Sequence, residues 1–129
     1  METELNNTAT VLGEYNSIPT EISTQTLVVT MLTGLSVSKT ADKLVWSDGY
    51  LTYTIEVDNQ TNVDYTSPVI TDILDSTLIT LVSGSVKLDN NPMEESQYTY
   101  DSNSGKLTIN LPNVETKTKK VISFEVEKK

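Results

Sequence analysis

Apolar and polar residues alternate along much of the chain with a period of two. In "LTYTIEVD", Leu51, Tyr53, Ile55 and Val57 fall on one face, and Thr52, Thr54, Glu56 and Asp58 on the other. Successive side chains of a strand point to opposite sides of its sheet, so this pattern predicts a β-strand with one side buried. "DNQTN" follows with residues whose side chains hydrogen-bond their own backbone, which predicts a turn. "SPVITDIL" resumes as a strand whose Pro68 stands at the start, where a missing N–H is tolerated. "SGSVKL" reads as a strand opened by a glycine turn, and "NNPMEES" as a polar loop. "QYTYDSNSGKLTINL" predicts a hairpin turning at "DSNSG", with Leu107, Ile109 and Leu111 on one face. A final strand in "KKVISFEVEKK" buries Ile122, Phe124 and Val126, and from Gly34 onward no helical period is sustained.

Upstream, "ELNNTATVL" alternates Leu5, Asn7, Ala9 and Val11 and predicts one strand, while "EYNSIPTEIS" reads as a loop. "TLVVTML" is mostly apolar, as suits a strand buried on both faces. In "TGLSVSKTAD", Leu35, Val37 and Lys39 share a face. About nine short strands with regularly spaced turn signals predict an all-β fold, an immunoglobulin-like β-sandwich.

Composition sharpens this picture. The 129 residues suffice for one domain with one core. Hydrophobic residues make up 36%, and Thr, Ser, Asn and Asp fill the difference, which favours strands and turns. Acidic residues number 18 against 9 basic ones, a net charge of -9 that repels phosphate backbones and anionic membrane surfaces, so nucleic acid is not expected as a partner. No apolar run reaches the length of a membrane helix, so no membrane insertion is expected in this segment. The start "METELNNTATV" lacks the basic and apolar regions of a signal peptide, and the chain reads as an excised piece without signal peptide or anchor. With no cysteine and no histidine, thiol chemistry is excluded and the commonest general base and metal ligand are missing. The expectation is a protein that is not an enzyme, with no cofactor and no metal.

"LSVSKTADK", "GYLTYTIEVDNQTN", "PVITDIL", "LVSGSVKL", "TYDSNSGKLTINL" and "TKKVISFEV", in that order from about Leu35 to Val126, resemble a family of bacterial surface repeats. This is the conserved-repeat domain known as domain of unknown function eleven, related in pattern to the isopeptide-forming domains of Gram-positive pilins and adhesins. Repeats of the family usually finish on a strand with an Asn-Thr-Ala-like motif. Here that motif stands at the front, in "NNTATV". The resemblance thus implies that 1–33 are tail strands of a preceding repeat, able to complete the sandwich, and that 34–129 are the surface-repeat domain. The chain departs from the family in "ILDS", where Leu-Pro is frequent, and in "NLPN", where Gly is common; both concern turns.

Three polar residues fall inside apolar stripes: Asp72 with Ile70 and Leu74, Lys39 with Leu35 and Val37, and Asn7 with Leu5, Ala9 and Val11. A buried charge without a partner costs several kcal/mol or more, so Lys39 and Asp72 need one another if both lie inside. In the isopeptide domains that the chain resembles, a first-strand Lys attacks a last-strand Asn amide while a buried acid moves the protons. Lys39, Asn7 and Asp72 match those roles by strand and face, and the product would be a self-made covalent brace without turnover. Plainer roles stand beside this one: Asp72 as a turn residue, Lys39 reaching its ammonium into water, and Asn7 bonded to nearby backbone.

The resemblance implies a non-catalytic stalk or spacer module, extracellular on the bacterial cell surface, whose partners are neighbouring repeats or a second copy in a strand-swapped homodimer. The alternative is an adhesin-type binding module for a host protein or glycan, which predicts exposed aromatic or apolar residues around Trp46, Tyr65, Tyr98 and Tyr100. "DNNPMEES" and "DNQTNVD" gather oxygen ligands without the spacing of a calcium loop and read as solvated turns. Asn6 and Asn59 fit the N-glycosylation pattern.

Overall fold

A computed structural model describes residues 2–7, 10–23, 27–32 and 34–129. The chain divides into two compact units, Met1–Thr33 and Gly34–Lys129.

The first unit contains β1 (Glu2–Asn7), β2 (Thr10–Tyr15), β3 (Ile18–Ser23) and β4 (Leu27–Leu32). β1 pairs antiparallel with β4, and β2 with β3. The single strand expected across "ELNNTATVL" is therefore two strands in different sheets, so Asn7 and Val11 share no strand face. The loop expected in "EYNSIPTEIS" is a hairpin. Tyr15 and Ile18 flank a two-residue turn at Asn16 and Ser17, whose φ values of 51° and 63° give the positive pair that a type I′ turn needs. Ser is an uncommon choice there, which hides the turn from a search for Asn-Gly. Pro19 costs this hairpin little, because among the described residues β3 has a ladder partner on one side only.

The second unit is an antiparallel β-sandwich. It contains β5 (Leu35–Ala41), β6 (Tyr50–Asn59), β7 (Val69–Ile73), β8 (Ile79–Leu81), β9 (Lys87–Leu88), β10 (Asn91–Pro92), β11 (Tyr98–Asp101), β12 (Lys106–Asn110) and β13 (Thr118–Lys128). One sheet runs β10-β9-β13-β6-β5, with β8 also paired to β13; the other runs β11-β12-β7. Their inner faces meet in one core, where Ile55 and Val57 of β6 and Ile122, Phe124 and Val126 of β13 oppose Leu107 and Ile109 of β12. The alternating residues of "LTYTIEVD" and "KKVISFEV" form this core because the two strands lie side by side at the sheet's centre, in register from Thr118↔Asn59 to Glu127↔Tyr50.

Shorter elements depart from the sequence reading. "SGSVKL" contributes only Lys87–Leu88 as strand, with Val86 buried beside it, and "NNPMEES" contains β10 and a 3-10 turn at Glu95–Gln97. β8 has three residues, too few to display a period. The "DSNSG" turn closes as expected, and its glycine is obligatory: Gly105 has φ 74°, and a Cβ there would lie 2.0 Å from the Leu74 carbonyl oxygen.

The strand order also fixes where the chain comes in and where it leaves. β6 is antiparallel to both β5 and β13, with Leu35 and Thr118 each paired to Asn59 and Glu127 paired to Tyr50. The chain thus joins the sandwich at the Asn59 end of β6 and departs at the Tyr50 end, roughly 30 Å away along ten strand residues.

Candidate functional site

β5 and β7 are the last strands of their sheets on the same side of the sandwich, and among the described residues each has one ladder partner, β6 and β12 respectively. Between them opens a cleft of about 370 Å³ lined by Leu35, Val37, Val57, Pro68, Val69 and Ile70. The Gln60 N–H donates to the Gly34 carbonyl at 2.6 Å and the Asp42 N–H to the Thr52 carbonyl at 3.0 Å. Hydrogen-bonded pairs alternate along an antiparallel ladder. Ser36, Ser38 and Thr40 therefore face β6 with their backbone groups, while those of Val37 and Lys39 face the open side. Such an edge offers donors and acceptors to an added strand.

The Lys39–Asp72 contact spans this opening. Asp72 faces inward from β7 with Ile70, beside buried Leu107 on β12, and its side chain is 11% exposed. Lys39 is 40% exposed, so the burial expected from its stripe is corrected: that stripe looks into the cleft, not into a closed core. Its Nζ stands 2.6 Å from Asp72 Oδ2, yet this oxygen has no aligned hydrogen bond, so the contact is an ion pair by distance alone. The ammonium also lies 4.4 Å from the centroid of the Tyr53 ring, which in turn packs on Phe124 at 5.6 Å between centroids. Tyr53 is the partner that the sequence reading missed. Only the register Lys39↔Ile55 and Ala41↔Tyr53 puts that ring diagonally beside Lys39. The geometry ties an edge strand of one sheet to an edge strand of the other. The third residue of the proposed brace, Asn7, pairs with Leu27 in the first unit, and its side chain lies outside the described residues.

Asn59 turns out to be structural. It is fully buried; its Nδ2 donates to the Val63 and Val114 carbonyls at 2.9 Å each, and its Oδ1 accepts from the Thr61 N–H and hydroxyl. A side chain so enclosed holds the β6–β7 turn and is no accessible glycosylation acceptor. The side chain of Asn6 lies outside the described residues.

Among the described residues the aromatic side chains do not gather into an exposed patch. Trp46, Tyr98 and Tyr100 pack against the core, and Lys128 reaches to 5.4 Å from the Trp46 ring, whereas Tyr65 is partly exposed beside the cleft. In "DNNPMEES", Asp89 accepts from the Val121 N–H at 2.9 Å and so fastens its turn to β13. Among the described residues no His, Cys, Asp or Glu side chains gather as a metal-binding group, and no helix is long and apolar enough to cross a membrane. No protein-family model matches the chain, and no curated protein is significantly similar to it.

Proposed function

We propose that this chain serves as a non-catalytic spacer module in a repeated, extracellular protein of the bacterial surface, with an immunoglobulin-like sandwich as its unit. The observation that supports this reading is that, within the Gly34–Lys129 unit, the start of β5 and the finish of β13 lie at opposite ends of β6. A domain entered at one end and left at the other adds its length to an array, whereas a domain with adjacent ends would branch from it. The open β5/β7 edge fits the same reading, since a strand from a neighbouring repeat, or from a second copy in a strand-swapped homodimer, would find unpaired backbone there. Tandem copies of the full chain, measured by small-angle scattering, should lengthen by no less than roughly 30 Å per copy. A maximum dimension that fails to grow linearly with copy number would remove the spacer role. The intact mass of the denatured chain tests the covalent brace. Loss of one ammonia, absent in Asp72→Ala and mapped to Lys39 and Asn7, would support it, and an unchanged mass would dismiss it for this chain.

A binding module is the second reading, favoured by the cleft and by exposed Val37 and Val69 along its rims. It fits an extended segment of a host protein better than a glycan, because Trp46, Tyr98 and Tyr100 are committed to the core.

A further inference from the structure

We infer that the Gly34–Lys129 unit is a tension clamp, in which a pull on the chain loads β5 and β13 in shear against β6. The direction of the strands carries the inference. β5 begins at the Asn59 end of β6, and β13 finishes at the Tyr50 end. A chain drawn at both ends pulls β5 along its own axis one way and β13 along its axis the other way, with β6 between them. The hydrogen bonds of each ladder lie across the strands, so this load falls on all of them together. A load applied at one end of a ladder would instead open it one bond at a time.

The two ladders differ in strength. β13 pairs with β6 over ten positions and is flanked on its other side by β8 and β9. β5 pairs with β6 over seven positions and has no second ladder among the described residues. Rupture therefore begins at β5, and Lys39–Asp72 is placed to resist it, because this contact ties β5 to β7 in the opposite sheet. Among the even-numbered residues of β5 the N–H belongs to the clamp, whereas that of Val37 faces the open side.

The chain has no cysteine, so introduced pairs give unambiguous handles for single-molecule pulling on the full chain. Ser36→Cys with Lys129→Cys loads the unit lengthwise, because exposed Ser36 pairs with Asp58 near the Asn59 end of β6. Ser47→Cys with Lys129→Cys pulls at the Tyr50 end, where Lys128 Nζ donates to the Ser47 carbonyl, and peels β6 from β13. Lengthwise unfolding at equal constant load should be at least about tenfold slower, because the lengthwise load falls on several ladder hydrogen bonds at once. Equal rates in the two directions would overturn the clamp. Ser38→Pro, which removes a ladder N–H, should speed lengthwise unfolding roughly tenfold, with Val37→Pro as a control that leaves the ladder donors in place. Equal acceleration by both variants would show that the β5·β6 ladder is not what bears the load. The inference rests on the in-line placement that also supports the spacer reading, but the two fail separately: scattering tests the length of the array, and pulling direction tests the clamp.

Discussion

Val37 and Val57 are register partners on β5 and β6, side by side on the same face of one sheet, yet Val37 is 69% exposed and Val57 6%. The same residue type thus meets two environments one strand spacing apart. β12 of the second sheet covers β6, whereas no other strand of the Gly34–Lys129 unit covers β5 from its open side. Alternation states which side chains share a face; it does not state whether anything lies over that face. A central strand and an edge strand can carry the same pattern with different energetic consequences.

Truncating the two valines gives the sharpest test of this contrast. Val57→Ala should destabilise the fold by about 2 kcal/mol through lost burial and a residual cavity. Val37→Ala should cost less than about 0.5 kcal/mol, as a surface change does. Urea denaturation of both variants measures the difference, and equal losses would mean that the β5 face is covered in solution by a strand or a second copy.

A smaller effect is expected at the strut across the opening. Lys39 is too exposed for its pairing with Asp72 to reach the strength of a buried ion pair, so a double-mutant cycle with Lys39→Ala and Asp72→Ala should give a coupling of about 0.5 kcal/mol. The coupling should shrink in high salt. A coupling several times larger would place the pair in a dry, closed interior.

The smallest effect concerns acid. The Thr77 hydroxyl and N–H bonded to Asp75, the Ser104 hydroxyl and the Asn103 N–H bonded to Asp101, and the Thr52 N–H bonded to Asp42 hold these three carboxyls below the ordinary value of 3.8. A carboxyl whose pKa is lower in the folded state stabilises that state fully above its unfolded value. The contribution is lost as pH falls through the folded value. Melting temperature should accordingly fall below about pH 4, and Asp75→Asn and Asp101→Asn should flatten that fall slightly. Asp75 and Asp101 cap exposed turns and Asp42 is exposed at the end of β5, so a steep acid transition insensitive to these substitutions would place its origin elsewhere.

Much of the core was legible because it is built from long, regular strands. β6 and β13 declare their buried faces through Ile55, Val57, Ile122, Phe124 and Val126, and the "DSNSG" hairpin is marked by turn residues that its geometry requires. The β2–β3 hairpin was hidden because Asn16 and Ser17 adopt left-handed backbone without glycine, and β8 because three residues carry no period. At the site, alternation alone put Asp72 on the inward face of β7. The half-exposure of Lys39 and its place over Tyr53 depend on neighbours far along the chain.

By itself, then, the sequence determined the all-β character, the long central strands and the turns with distinctive residues, because each depends on side chains within a few positions of one another. Only the tertiary structure decided that β5 is the last strand of its sheet, that Asn59 is enclosed by Val63 and Val114, and that β5 starts and β13 finishes at opposite ends of β6. Those features arise from which strands become neighbours, a choice made by burial across the whole core and recorded in no local stretch.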